Sequence, residues 1–303
     1  MLSRTTLRAD LALAGAAFLF GTTFLVMQDA VEDVEPIPFI VARFGIGAIV
    51  LLPLAVVRAR AGIPARARTT GLWRDGALAA TALAAGYVFQ TTGLQYTTSS
   101  VSAFLTYLLV VFVPLLSAVV LRRPPRPATV GGVALAVAGL YLLTEGAGIG
   151  FGRGEVLSVL CAVAFAAHIL VLAEVVHRHD LVILNAVQFA LVAAALAGPG
   201  LLLGGYGFPA SAWLAALYTG VVVNAVAFGL QLWGQRRVSA SRTALVLMLE
   251  PVFAAGLGYL DGERLGAAGA AGAALILAGI LLSEFRAANP SQSLDQTVNI
   301  ESG

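Results

Sequence analysis

Residues 76–121 read GALAATALAAGYVFQTTGLQYTTSSVSAFLTYLLVVFVPLLSAVVL, a run of 46 residues without one charge. A helix rises about 1.5 Å per residue and needs about 20 apolar residues to cross roughly 30 Å of hydrocarbon. This run is therefore two crossings, divided at the polar cluster Thr97-Thr98-Ser99-Ser100. Further charge-free runs cover 11–28, 44–57, 127–144, 156–173, 181–235, 251–260 and 265–283. The run 181–235 is again two crossings, divided at Gly204-Gly205-Tyr206-Gly207-Phe208-Pro209. The run 44–57 reaches back to Ile37 with Arg43 inside it, and 251–260 reaches back to about Ser239 with Glu250 inside it. The expected fold is an all-α polytopic membrane protein with ten spans, at about 10–28, 37–57, 76–95, 99–121, 128–144, 155–173, 182–203, 212–233, 239–260 and 266–284. Helices are required because lipid offers backbone groups no partner, and the runs are too long and too evenly apolar for a transmembrane barrel. The first run follows Arg4 and Arg8 but leads into an acidic loop with no small-residue cleavage site, so it reads as a retained helix.

Composition agrees. Of 303 residues 59% are apolar and 11% charged, with a mean hydropathy of +0.91; a soluble globular chain carries about 25% charged residues. That excludes a cytosolic enzyme, a nucleic-acid binder and a disordered scaffold, and the net charge of +2 is too small to suggest polyanion partners. The single cysteine, Cys161, leaves no internal disulfide and no cysteine-based metal cluster. All 18 basic residues are arginine, a bias that suggests a GC-rich bacterium and hence the plasma (cell inner) membrane. With the N-terminus inside, 14 of the 18 fall in cytoplasmic segments and only Arg153 and Arg264 in outer loops, while the first outer loop carries Asp29, Glu32, Asp33 and Glu35. The positive-inside rule then places both termini in the cytoplasm, consistent with an even count of spans. Residues 287–303 are polar and aperiodic, and read as a disordered cytoplasmic tail.

The chain also repeats itself. Val101-Ser102-Ala103 recurs as Val238-Ser239-Ala240, an offset at which Pro114 falls on Pro251. Gly132 and Gly139 match Gly272 and Gly279, 140 positions on. The halves are 1–146 and 150–286, with five spans each. An odd number of crossings inverts the second half, a common build of secondary transporters, whose sites lie near the midplane between repeats.

These residues carry a resemblance. Ala244-Leu245-Val246-Leu247-Met248-Leu249-Glu250-Pro251-Val252-Phe253-Ala254, followed by Gly262-Glu263-Arg264-Leu265, resembles the last-quarter signature of EamA-type proteins of the drug/metabolite transporter superfamily. Phe20-Gly21-Thr22-Thr23-Phe24 is similar to that family's Trp-Gly-x-x-Phe, and Ala42-Arg43-Phe44 to its Arg-Phe. Gly93-Leu94-Gln95-Tyr96-Thr97-Thr98 and Val110-Val111-Phe112-Val113-Pro114-Leu115-Leu116 also fit, whereas Arg122-Arg123-Pro124-Pro125 stands where the first repeat often has Gly-Glu. The resemblance covers about residues 10–285. It implies ten helices in two inverted five-helix repeats, a central cavity, no ATPase module, and cargo ranging over amino acids, nucleotides, sugars and drugs.

Polar groups inside the spans are the candidate site. An ionisable residue at mid-span costs roughly 2.5–3.5 kcal/mol on the insertion scale. Glu250 is at about mid-depth, and Pro251 cannot donate to the carbonyl of Leu247, so the helix is expected to bend there. The two readings of Glu250 are substrate or proton coupling and a structural hydrogen bond. Arg43, about 9 Å into the second span, either holds an anionic group in the cavity or snorkels outward to Asp33 and Glu35. Arg242 is expected to snorkel to the cytoplasm. Ser99, Ser102, Thr106 and Ser117 fall near one face of the fourth span, bordered by Tyr107, with Pro114 as a second helix-bend. They line a cavity or hydrogen-bond between helices. Gln90, Asn224, Thr22 and Thr23 are further candidates, and His168 is a candidate proton relay; Gln188, Trp233 and Cys161 rank below them. The glycines of the fifth and tenth spans (Gly131, Gly132, Gly139; Gly266, Gly269, Gly272, Gly279) suit close helix packing, as a brace or a dimer contact.

The expected function is a secondary transporter, an exporter, of a small organic metabolite or drug by alternating access. It needs no cofactor or metal, with protons as a candidate coupled ion, and works as a monomer or weak homodimer. The alternatives are a polytopic membrane enzyme, for which no catalytic motif or Walker A is present, and a receptor or scaffold that moves nothing.

Overall fold

Proline, glycine and short polar residues mark where the helices start and stop in the computed structural model, which describes residues 4–27, 34–61, 71–97, 99–143, 152–260 and 266–285. The described helices are α1 (Arg4–Met27), α2 (Pro36–Arg60), α3 (Leu72–Leu94), α4 (Ser99–Tyr107), α5 (Leu109–Val120), α6 (Pro127–Leu143), α7 (Arg153–Val175), α8 (Leu181–Leu202), α9 (Ala210–Tyr218), α10 (Phe228–Gln235), α11 (Ala240–Leu247), α12 (Leu249–Leu260) and α13 (Ala267–Phe285). A π-helical segment, Thr219–Ala227, joins α9 to α10 without a break. No strand occurs among the described residues. The tail 287–303, residues 29–33 of the acidic loop and the motif 262–265 lie outside them.

Local chemistry explains the boundaries. Pro36 opens α2, where its missing N–H is one of the orphans of a helix start. Asp180 caps α8 by accepting from the backbone N–H of Val182 at 3.0 Å and of Ile183 at 3.2 Å. Ser239 caps α11 through the N–H of Arg242. Gly205, at φ 70°, ends α8 in the left-handed conformation that closes such turns, and its N–H returns to the carbonyl of Gly200 at 2.9 Å.

Taken along the chain, α4 with α5, α9 with α10, and α11 with α12 act as single rods, so the described helices form ten rods in the expected places. Six are long and apolar enough to cross a membrane: Pro36–Arg60, Val101–Val120, Arg153–Val175, Leu181–Leu202, Ala210–Gln235 and Ala240–Leu257. Pro127–Leu143 and Ala267–Leu282 are shorter apolar helices. Large apolar side chains such as Leu52, Val57, Val119, Val120, Leu202 and Leu214 face outward, each more than half exposed. Water tolerates no apolar surface of that extent on a monomer, whereas lipid does, and the chain is a multi-pass membrane protein.

The packing is unchanged when the halves are exchanged. α1 packs on α10, α11, α12 and the π segment; α7 packs on α3, α4 and α5. α2 meets α9 and the π segment as α8 meets α3. Two pairs are their own counterparts, α2 with α8 and α6 with α13. In the latter pair the helices run antiparallel. A Cβ on Gly139 would lie 2.5 Å from the carbonyl oxygen of Gly272, and one on Gly279 would lie 2.5 Å from that of Gly132. These are the glycines of the 140-residue repeat, so equivalent helices point in opposite directions and their glycine faces meet each other. Gly139→Leu should force the two backbones apart, at about 1–3 kcal/mol for overpacking, and should lower the thermal midpoint of the purified protein in detergent. An unshifted midpoint would show that the α6–α13 contact is looser than this.

Two of the rods are interrupted. In the second half the break is at Met248, three residues before Pro251, where the N–H turns back to Leu245 at 3.1 Å. In the first half the break is at Leu108, six residues before Pro114, which sits inside α5. Tightened bonds from Leu108 N–H to Leu105 and from Val111 N–H to Leu108 replace the α-helical pattern there. The two breaks, at 108 and 248, are 140 positions apart, the glycine offset and not the Val-Ser-Ala one.

Candidate functional site

Arg43 lies in the first third of α2 and is only 4% exposed. It does not snorkel. Its Nη2 donates to Oδ1 of Asn224 at 3.3 Å, and Asn224 Nδ2 donates to the Arg43 carbonyl at 2.9 Å. The guanidinium carbon lies 4.9 Å from the ring centre of Tyr87 and 5.6 Å from that of Phe44, within cation–π range. Its Nε–H is buried and has no partner. A buried donor left unpaired is costly, so this one is available to a ligand.

The π segment explains how Asn224 reaches α2. A π turn inserts an extra residue into the helix and is found preferentially at functional sites. Two glycines allow the contact: a Cβ on Gly47 would lie 2.9 Å from Cβ of Asn224, and one on Gly220 would lie 2.9 Å from the Arg43 carbonyl. Asn224→Ala removes both hydrogen bonds and leaves the Arg43 carbonyl and guanidinium short of partners. Its expected cost is about 1–3 kcal/mol, read as a lower thermal midpoint together with weaker transport; an unchanged midpoint would mean that Asn224 does not hold Arg43.

Glu250 approaches from the other half. It is half-buried, two residues past the break in the α11–α12 rod. The Tyr107 hydroxyl, on the last residue before the α4–α5 break, is close enough to act on its carboxyl. Arg43 is the positive charge that acts on it. Both helix breaks thus deliver a side chain to one place, Tyr107 from the first half and Glu250 from the second. The backbone of Glu250 is pressed against Gly21, where a Cβ would lie 3.1 Å from its carbonyl oxygen. Aromatic rings complete the surroundings: Tyr87 meets Phe44 at 5.2 Å and Phe165 at 5.2 Å, and Phe44 meets Phe189 at 5.3 Å between ring centres.

The other predicted residues divide. Gln90 is half-buried on α3, three residues from Tyr87. Ser102 and Thr106 are buried and bind α4 to α7, through Ser158 Oγ at 3.1 Å and Cys161 Sγ at 3.7 Å. Ser117 turns to the carbonyl of Arg123. Thr22 and Thr23 return their hydroxyls to Leu19 and Phe20 of their own helix, and Thr22 also meets the Tyr218 hydroxyl at 2.6 Å. His168 is 2% exposed and pairs with Gln188 at 3.0 Å, which in turn donates to Asn185. Arg242 does not snorkel but forms a two-point pair with Asp10, Nε to Oδ1 at 2.9 Å and Nη2 to Oδ2 at 2.6 Å. Tyr87 is the functional candidate the sequence reading passed over, although its place three residues before Gln90, nearly one helical turn, was the available sign. A shallow apolar groove of about 770 Å³ lined by Phe104, Val111, Val133, Val137 and Tyr141 contains no Asp, Glu, Arg or His and is not this site.

A buried cation and a half-buried carboxyl thus meet among aromatic rings where the two halves adjoin. Two segments, 7–145 and 152–285, each match the model of the EamA-like transporter family. The chain belongs to that family. A transporter of Archaeoglobus fulgidus, itself described as uncharacterized, is 31% identical over 249 residues, covering 82% of this chain and 76% of its own length. A second uncharacterized transporter from the same organism is 31% identical over 192 residues, 63% of this chain and 68% of that one. A crystal structure shares the fold of this EamA-like protein with a TM-score of 0.76 at 22% identity, covering 91% of this chain and 96% of that one.

Proposed function

We propose that this EamA-like protein is a secondary transporter that exports a small organic metabolite or drug across the plasma membrane by alternating access, with ten spans and both termini in the cytoplasm. The observation that carries the reading is the convergence of Arg43, Tyr87 and Tyr107 from the first half with Asn224 and Glu250 from the second. A solute held there touches both halves, so rocking of one against the other moves its access from one side to the other. Arg43, with its free Nε–H, takes an anionic or acceptor group. Glu250 and Tyr107 take a donor or cationic group, or a proton in exchange for it. The excess of arginine at one set of helix ends supports the assignment of that face to the cytoplasm.

The test is purified protein in liposomes, challenged with a panel of amino acids, nucleosides and cationic dyes, with and without a pH gradient. Saturable flux of one class above that of empty liposomes supports the reading, and stimulation by the gradient assigns protons as the coupled ion. Ligand binding at the site without flux of any bound compound would make the protein a receptor.

A further inference from the structure

All five ion pairs among the described residues join the first half to the second, and all lie on one face. Arg58 reaches Asp180 at 3.1 Å, and Arg123 pairs with Glu174. Asp75 Oδ2 meets His179 Nε2 at 2.7 Å and Arg178 Nη1 at 3.5 Å. Arg242 meets Asp10 at 2.6 Å. The residues occupy the starts of α1, α3, α8 and α11, the last turns of α2 and α7, and the position just past α5. The chain reverses between consecutive rods, so these ends form one layer, the arginine-rich one. Arg236, just past α10, ties in the turn between α7 and α8 by donating to the carbonyls of Val176 and His179.

The layer has a buried centre. Asp75 is 5% exposed and His179 3% exposed, and His179 Nδ1 has no partner. Exposed pairs contribute little by themselves, as for Arg58 and Arg123. A buried carboxylate is different, because separating it from its partner strands a charge in a poor solvent. Asp75 and Asp10 can lose their partners only if water enters between the halves. Toward the opposite face the described residues join the halves through hydrogen bonds instead, Thr97 Oγ1 to Glu155 Oε1 at 2.8 Å and Thr22 Oγ1 with the Tyr218 hydroxyl at 2.6 Å, with no ion pair.

We infer that this layer is the gate of the arginine-rich face: Asp10–Arg242 and Asp75–His179, with Arg58–Asp180 at their rim, clamp the two halves together and must part before the Arg43–Glu250 site opens to that side. The inference rests on the transport reading above for its purpose, but its geometry can be tested apart from it. Nitroxide labels go on Arg74→Cys in the first half and His177→Cys in the second, both exposed on this face; the native Cys161 is buried and does not compete. In lipid vesicles the labelled protein should show one short distance between the labels. Asp75→Asn, and the pair Arg58→Gln with Arg242→Gln should Asp75→Asn fold poorly, should add a second, longer population. In a separate variant, Arg58→Cys with Asp180→Cys bridged by a cleavable bis-thiosulfonate should lose flux, and a reductant should restore it. Unchanged distances in every variant, or full flux through the bridged protein, would overturn the gate. Longer distances with no flux of any compound in the panel would leave the gate standing and remove the transport reading. Flux with unchanged distances would do the reverse.

Discussion

Glu250→Gln protein is expected to insert and accumulate as the wild type does while its transport falls at least about tenfold, and up to about a hundredfold. The range corresponds to the roughly 1.5–3 kcal/mol of a charge-assisted hydrogen bond. The substitution keeps the shape of the side chain and a group able to pair with Tyr107, so the helix break at Met248 and the contact of Gly21 with the Glu250 backbone survive. What it removes is the negative charge facing Arg43 and the capacity to bind or release a proton. Initial flux per reconstituted protein, beside the elution profile in detergent, separates the two effects. Full flux in this variant would take Glu250 out of the mechanism and leave it as a structural partner of Tyr107.

Arg43→Ala should fail in both respects. It opens a hole beside Tyr87, takes the donor from Asn224 Oδ1, and leaves Glu250 without the positive charge that acts on it. Truncating a large buried side chain to alanine typically costs about 2–5 kcal/mol, and Asn224 Oδ1 loses its donor besides. The expected result is a marked drop in thermal midpoint and abundance together with loss of flux. The informative companion is Arg43→Met with Glu250→Gln, which removes both charges and keeps the volume. It should regain much of the stability and none of the transport. If the double variant is no more stable than Arg43→Ala, the two side chains are not coupled and the site is not a single unit.

Much of the fold is legible in the sequence because the bilayer imposes one length and one polarity on each span. Charge-free runs place the ten rods within a few residues, and Asp180, Ser239 and Pro36 mark starts by known cap chemistry. Arg43, Tyr107, Asn224 and Glu250 stand out for a related reason: polar groups in the middle of apolar runs are expensive. The interruption at Leu108 was not legible. Nothing in Tyr107-Leu108-Leu109 disfavours a helix, and Pro114 draws attention to the wrong turn. The π segment is equally silent, since Thr219–Ala227 has the composition of any apolar helix apart from Asn224. For Ser102 and Thr106 the sequence left two readings open. Hydroxyls that line a cavity and hydroxyls that stitch two helices together have the same spacing, and only the position of α7 decides between them. The ion pairs were hidden because they are remote in sequence: Asp10 and Arg242 are separated by 232 positions, and an arginine at a span end reads by default as a topology signal.

The exchange of halves that leaves the packing unchanged has an energetic corollary. Under the alternating-access reading proposed above, α1 sliding on α10–α12 into the arrangement that α7 adopts on α3–α5, and the reverse, would give a conformer in which the two faces have exchanged roles. Such twin conformers would be equal in free energy were the two halves identical in sequence. Their imbalance therefore comes only from positions where the halves differ, Asp10, Asp75 and Arg242 among them. Swapping such side chains between equivalent sites offers a way to set which mouth rests open.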